Sequence, residues 1–403
     1  MKLHKLSTAL LTIALSTASM VQAGPREEAK RIHDRLAGVP ATEAEVLDLA
    51  SDIDAGNAQS AAMKAMNKNT FYSVTLKNMF TPATNRDGDV FRDLNDYVAT
   101  VIGLVRDDED FRKALYDNVI YVGKSSLGLP AYANNNNEHY RQMAAQGTNL
   151  ITGLERRTQT SVTGLEADAT AGLMTTRAAA KAFFIAGTNR AMFRFTLLNH
   201  LCLDLEQVHD ITRAPDRIRQ DVSRSPGGDS RVFNNNCIGC HSGMDPMAQA
   251  FAYYNYEYDA DNDLTGENGQ LVYNSAGEID PETGTRVQAK YHINSATFPY
   301  GFVTPNDRWD NYWRSGQNKL LGWNSTPMGS GSGSGAKSMG MELAYSDAFA
   351  QCQVKKVFQT VCLREPGDTD DRAAVSTMVT NFKANNYQLK QVFAETAEYC
   401  LVD

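Results

Sequence analysis

Cys237-Ile238-Gly239-Cys240-His241 constrains this chain more than any other five residues. Two cysteines three apart, with a histidine four residues after the first, share one face when the segment is a helical turn. That display is the attachment pattern for a c-type haem, with two thiols for the two vinyl groups and an imidazole for the iron. With 6 Cys and 7 His in 403 residues, roughly 0.0015 such matches are expected by chance. The segment is therefore expected to be helical, with Cys237 and Cys240 carrying one covalent haem c and His241 as its proximal ligand. A zinc half-site would need a second ligand pair, and the sequence holds no other C-x-x-C and no H-x-x-x-H.

The compartment agrees with that chemistry. Lys2 and Lys5 precede an apolar run from Ala9 to Leu15, and Val21-Gln22-Ala23 offers a cleavage site before Gly24. Residues 1–23 read as a signal peptide with an apolar run too short to span a bilayer, so a periplasmic location is expected. No later stretch approaches a transmembrane segment. Four cysteines remain for an oxidising compartment. Cys362 and Cys400 each end a predicted helix, which pairs them and leaves Cys202 with Cys352. Loss of Lys2 and Lys5 takes the formal net charge from −8 to −10. An acidic chain without a basic run argues against nucleic acid or anionic membranes and suits a redox partner protein with a basic face.

The expected fold is mainly α, with a helical domain over residues 24–225 and a second helical domain over 226–403. Thr42-Glu43-Ala44-Glu45 is a capping box that opens a helix running to about Gly56. Further helices are expected at Thr70–Phe80, Asn95–Val105, Asp108–Asp117, Asn137–Gln146 and Thr175–Leu201. Phe71, Tyr72, Phe80, Phe91 and Tyr97 read as core. Pro226–Ser230 marks the domain boundary, and a helix Arg231–Asn236 leads into the motif. Asp245-Pro246 reads as the cap and first residue of a new helix, which would carry Phe251, Tyr254 and Tyr258 as a stripe beside the haem. A small β insertion is expected over 259–300, with strands Gln270–Tyr273 and Arg286–Ile293. Thr304–Asp307 then starts a helix holding Trp309 and Trp313, and Gly329–Gly335 is a flexible Gly/Ser loop. Helices Ala336–Tyr345, Asp347–Cys362 and Thr369 onward close the chain.

The run from Cys237 to Pro246, followed by Phe251, resembles the haem module of planctomycete-type cytochrome c proteins. Ser346–Cys352 and Asn199–Cys202 are similar to segments that flank the haem in that family, and the likeness covers roughly residues 175–403. It implies an exported monohaem cytochrome c-like domain. The β insertion and the Gly/Ser loop depart from it.

The sixth ligand would decide between electron transfer and ligand chemistry. Met328, in a loop 87 residues beyond His241, and His139 are the leading distal candidates, followed by Met339, Met341 and His292, or no protein ligand. His200 and His209 read as helix-end histidines. The acceptor for the His241 Nδ1 is expected from backbone around Met244–Pro246. Asp259–Asp263 imitates a calcium loop but has Leu264 and Gln270 where Gly and Glu are required. The favoured function is one-electron transfer by a carrier rather than a catalyst. The alternatives are a haem enzyme of peroxidase or oxygenase type with an open distal site, and a redox-linked binding protein.

Overall fold

The computed structural model describes residues 24–324 and 331–402, so the expected signal peptide and Met328 lie outside the described residues. The chain is mainly helical, with 56% helix against 7% strand. Among the described residues the strands form three antiparallel ribbons of two strands each. β1 (Ile120–Gly123) pairs with β2 (Leu154–Arg157), β3 (Tyr254–Glu257) with β4 (Gln270–Tyr273), and β5 (Arg308–Asp310) with β6 (Ser332–Ser334).

Local chemistry shapes both ends of the chain. Pro25 opens the Pro25–Ala37 helix, where a missing N–H costs nothing. In the Glu43–Asp54 helix the capping box is complete. Thr42 N–H donates to Glu45 Oε2 at 2.8 Å, and Glu45 N–H donates to Thr42 Oγ1 at 3.4 Å. Ser346 caps Asp347–Cys362 through the Phe349 N–H. The Thr369–Ala384 and Leu389–Tyr399 helices follow, and the latter packs on Pro25–Ala37 and Ala58–Met66. One hydrophobic cluster runs from Ala29 through Phe251 to Ala397. Residues on both sides of 225 share it, so packing shows no break at that position. A smaller cluster of Ala252, Tyr253, Val287 and Tyr291 lies beneath the 259–300 segment.

Several expected elements differ, each where a distant partner outweighs local pattern. The Thr175–Leu201 stretch splits into Arg177–Phe184 and Arg190–Leu201. Asn189 sits between them with φ 60°, and its side chain donates to the Phe251 and Tyr254 carbonyls at 3.0 and 2.8 Å. Asp108–Asp117 shortens to a 3₁₀ turn at Phe111–Leu115. Within the insertion, β4 pairs back to β3, which precedes residue 259, and 286–293 carries no strand. The Phe251-Tyr254-Tyr258 helical stripe does not form, because Tyr254 begins β3. Trp309 lies on β5 and Trp313 on a 3₁₀ turn, both fully buried, rather than on one helix. Part of the Gly/Ser tract is the β6 partner of Trp309, so it is ordered by pairing. Phe91, expected in the core, is 92% exposed.

Candidate functional site

Cys240 and His241 stand on a helix that runs from Ile238 to Ala248, and Cys237 ends the π-helical turn Phe233–Cys237 that leads into it. Glycines fix the opposite face. A Cβ on Gly239 would lie 2.5 Å from the His209 ring, and one on Gly243 would lie 2.0 Å from the Trp313 indole nitrogen. Only glycine admits rings this close. Spaced four apart, Gly239 and Gly243 turn that face into the protein, leaving the two thiols and His241 on the other. His209 therefore sits behind the motif, away from the thiols.

Both thiols are free and part-exposed. Cys240 Sγ lies 3.4 Å from the Leu205 carbonyl. Burial pushes the Cys240 thiol up, helped by Glu206, Cys237 and Asp204. His241 is 21% exposed, and its Nδ1 faces Asp245 Oδ1 at 3.2 Å. Its Nε2 makes no hydrogen bond among the described residues.

Asp245 thus differs from expectation. It caps no helix, because Pro246 lies inside the same continuous helix rather than starting another. The acceptor for His241 is the Asp245 carboxylate and not backbone. One helical turn separates the two residues, so the helix itself sets their approach. The Asp245 side chain is fully buried and receives Arg190 through both oxygens, Nε to Oδ1 at 2.6 Å and Nη2 to Oδ2 at 2.8 Å. Arg190 also holds Asp221, and Arg219 N–H donates to Asp245 Oδ2 at 3.3 Å. Burial works against ionisation of Asp245, yet Arg190, His241 and Arg219 hold it well below the usual carboxylate range. Arg190, Arg219 and Asp221 carried no signal in the sequence, because Arg190 precedes Asp245 by 55 residues.

A carboxylate on one ring nitrogen fixes an imidazole's tautomer and points its other nitrogen at a metal. Two free thiols and that nitrogen on one face form a donor set that fits a covalent haem. His139, His33 and His292 are differently committed. His139 is buried, with Nε2 accepting from the Gly123 N–H at 2.9 Å and Nδ1 against the Pro130 carbonyl at 2.7 Å, so neither nitrogen is spare. His33 Nδ1 faces the Val39 carbonyl, and His292 Nε2 faces the Thr304 carbonyl. Met339 is fully buried in the main cluster. The remaining cysteines meet in pairs, Cys202 with Cys352 and Cys362 with Cys400, at Cα separations of 5.2 and 5.6 Å. The carboxylates of the Asp259–Asp263 run accept from their own backbone, as at Asn262 and Asn268. No helix among the described residues is long and apolar enough to cross a membrane. No family model matches the chain, and neither a curated protein nor a solved structure matches it.

Proposed function

We propose that this chain is an exported c-type cytochrome that moves single electrons through one haem held by Cys237 and Cys240, with His241 on the iron. It would work in the periplasm with a redox partner protein, in keeping with its resemblance to planctomycete-type cytochrome c proteins. The observation that carries the reading is the Asp245 carboxylate at 3.2 Å from His241 Nδ1. A carboxylate on one nitrogen of a part-exposed histidine whose other nitrogen is open is the arrangement that orients an iron ligand. When bound, the haem supplies one-electron redox chemistry. The chain's own part is to anchor it, orient the imidazole and keep Asp245 ionised.

The test is covalent attachment. Mature protein made alongside a c-type maturation system should keep haem stain on a denaturing gel and gain the mass of one haem. Cys237→Ser with Cys240→Ser should lose both. Wild-type protein without covalent haem would sink the proposal. The same carboxylate also favours a second reading, a haem enzyme, because an electron-rich imidazole stabilises oxidised iron. Spectra with cyanide, carbon monoxide and peroxide separate the two. A haem indifferent to all three is a carrier, and prompt binding marks an enzyme.

A further inference from the structure

One cleft takes none of its lining from the Cys237–Asp245 segment. It encloses about 570 Å³, within the range of small-molecule sites. Its walls come from the 84–95 loop, the start of the Glu138–Ala145 helix and the Arg177–Phe184 helix, with Thr265 and Glu267 closing one side. Arg86, Arg92, Arg141, Arg177 and Lys181 face it against three carboxylates. Asp89 and Glu138, just outside the lining, also pair with Arg92 and Arg141, so the cations without an ion-pair partner are the ones that matter.

Two of those cations are held by backbone carbonyls, with the buried Asp96 carboxylate acting on Arg177 from further off. Arg177 is buried, and its Nε donates to the Gly269 carbonyl at 3.0 Å while Nη2 donates to the Glu267 carbonyl. Arg86 Nε donates to the Ala182 carbonyl at 2.7 Å. Neither forms an ion pair among the described residues. The other three do, Arg92 with Asp89, Arg141 with Asp93 and Lys181 with Glu267. Backbone carbonyls aim a guanidinium without cancelling its charge, which is what an anion site needs.

Phe91 supplies the second half. It lines this cleft and a neighbouring one of about 370 Å³, so the ring stands on the divide between them. It is 92% exposed although its backbone is pinned. Phe91 N–H donates to Asp89 Oδ1 at 2.8 Å, and Asp89 N–H donates to Asn85 Oδ1 at 2.8 Å. A large ring displayed from a fixed backbone at the rim of a cleft offers a flat apolar face to an aromatic ligand seated there.

From these features we infer that the cleft binds a small organic anion, an aromatic carboxylate, with its ring on Phe91 and its carboxylate between Arg86 and Arg177. The site stands independently of the haem reading and gives the long helical region before the motif something to recognise. The experiment is calorimetric titration of the mature protein with 2-naphthoate, with neutral 2-naphthamide and inorganic sulfate as comparators. Naphthoate should bind saturably, one per chain, and more tightly than either comparator. Phe91→Ala should weaken naphthoate about three- to tenfold and leave sulfate unchanged. Arg86→Ala should weaken naphthoate about tenfold and leave naphthamide unchanged. Both side chains are exposed, so unchanged melting temperatures would show that the variants fold. Absent binding, equal binding of the amide, or a silent Phe91→Ala would each overturn the inference.

Discussion

The Arg190–Leu201 helix has a histidine site at each end, and the two are built in opposite ways. At its first residue, Arg190 clamps Asp245, which faces His241. Near the far end, about 15 Å away along the axis, His200 is buried, with no carboxylate acting on it among the described residues. The Tyr97 hydroxyl lies 3.0 Å from His200 Nε2, while Nδ1 is buried without a partner. Burial, with help from Lys356, pushes the His200 pKa down to about 3. His241 has an ionised carboxylate on one nitrogen and an open second nitrogen, the arrangement a metal or a positive charge requires. His200 has what a permanently neutral ring requires. The side chain is the same, and the environment decides which chemistry it can do.

The largest expected effect comes from the bond that closes the His200 end. Cys202 caps the helix with φ 56° and joins Cys352, next to Gln353, whose Nε2 donates to the His200 carbonyl. A bridge across 150 residues contributes about 5 kcal/mol by loop-closure entropy. Cys202→Ala with Cys352→Ala should lose that much in urea unfolding. Amide exchange should quicken at Leu197–Leu201 and stay slow at Arg190–Phe193. Equal loosening at both ends would show that the two sites are not independent.

Next in size is the opposite end. Asp245→Ala leaves the buried Arg219 without its nearest carboxylate and the part-buried Arg190 with Asp221 alone, a loss of about 3 kcal/mol. Asp245→Asn keeps the shape and removes the charge, so, on the proposed function, the reduction potential of a haem held by His241 should rise. A redox titration showing no rise would mean that the carboxylate serves packing alone.

How far these sites could be read from the sequence depended on how far apart their partners lie. The Cys237–His241 motif, the Thr42–Glu45 box and the Asp347–Cys362 helix are decided within a turn or two, and local spacing reveals them. The two cysteine pairings followed from which helices ended where. Asp245 was misread because its meaning depends on Arg190, and an Asp before a Pro has an ordinary local explanation as a cap. Phe91 was misread for the same reason. Aromatic residues usually go inside, and nothing nearby in sequence tells that the 84–95 loop faces a cleft. Trp309 and part of the Gly/Ser tract became strands instead of helix and loop because they pair across 24 residues, as Trp309 does with Gly333.

A pH scan sharpens the contrast further. His200 has a folded pKa of about 3 against about 6.5 when unfolded. Between those values the unfolded chain binds the extra proton, so stability falls as pH drops below about 6.5, by about 1.4 kcal/mol per unit. From pH 6 to pH 4 that amounts to about 2–3 kcal/mol. His200→Gln should flatten this part of the stability profile relative to wild type. Asp245 has the sign of a depressed carboxylate, whose contribution is intact above about pH 4 and is lost only below it. A wild-type profile with no slope above pH 4.5 would erase the distinction.

The smallest expected effect tests whether the His200 ring depends on its one polar contact. Tyr97→Phe removes a hydroxyl at 3.0 Å and adds no bulk. His200 Nε2 then joins Nδ1 as a buried nitrogen without a partner, at about 1–2 kcal/mol. The ring stays neutral in either case, because burial and not the hydroxyl holds its pKa down. The variant should therefore unfold at lower urea with the acid slope of wild type. A changed slope would mean that the hydroxyl helps set the charge state, and the His200 site would then resemble the His241 site in kind.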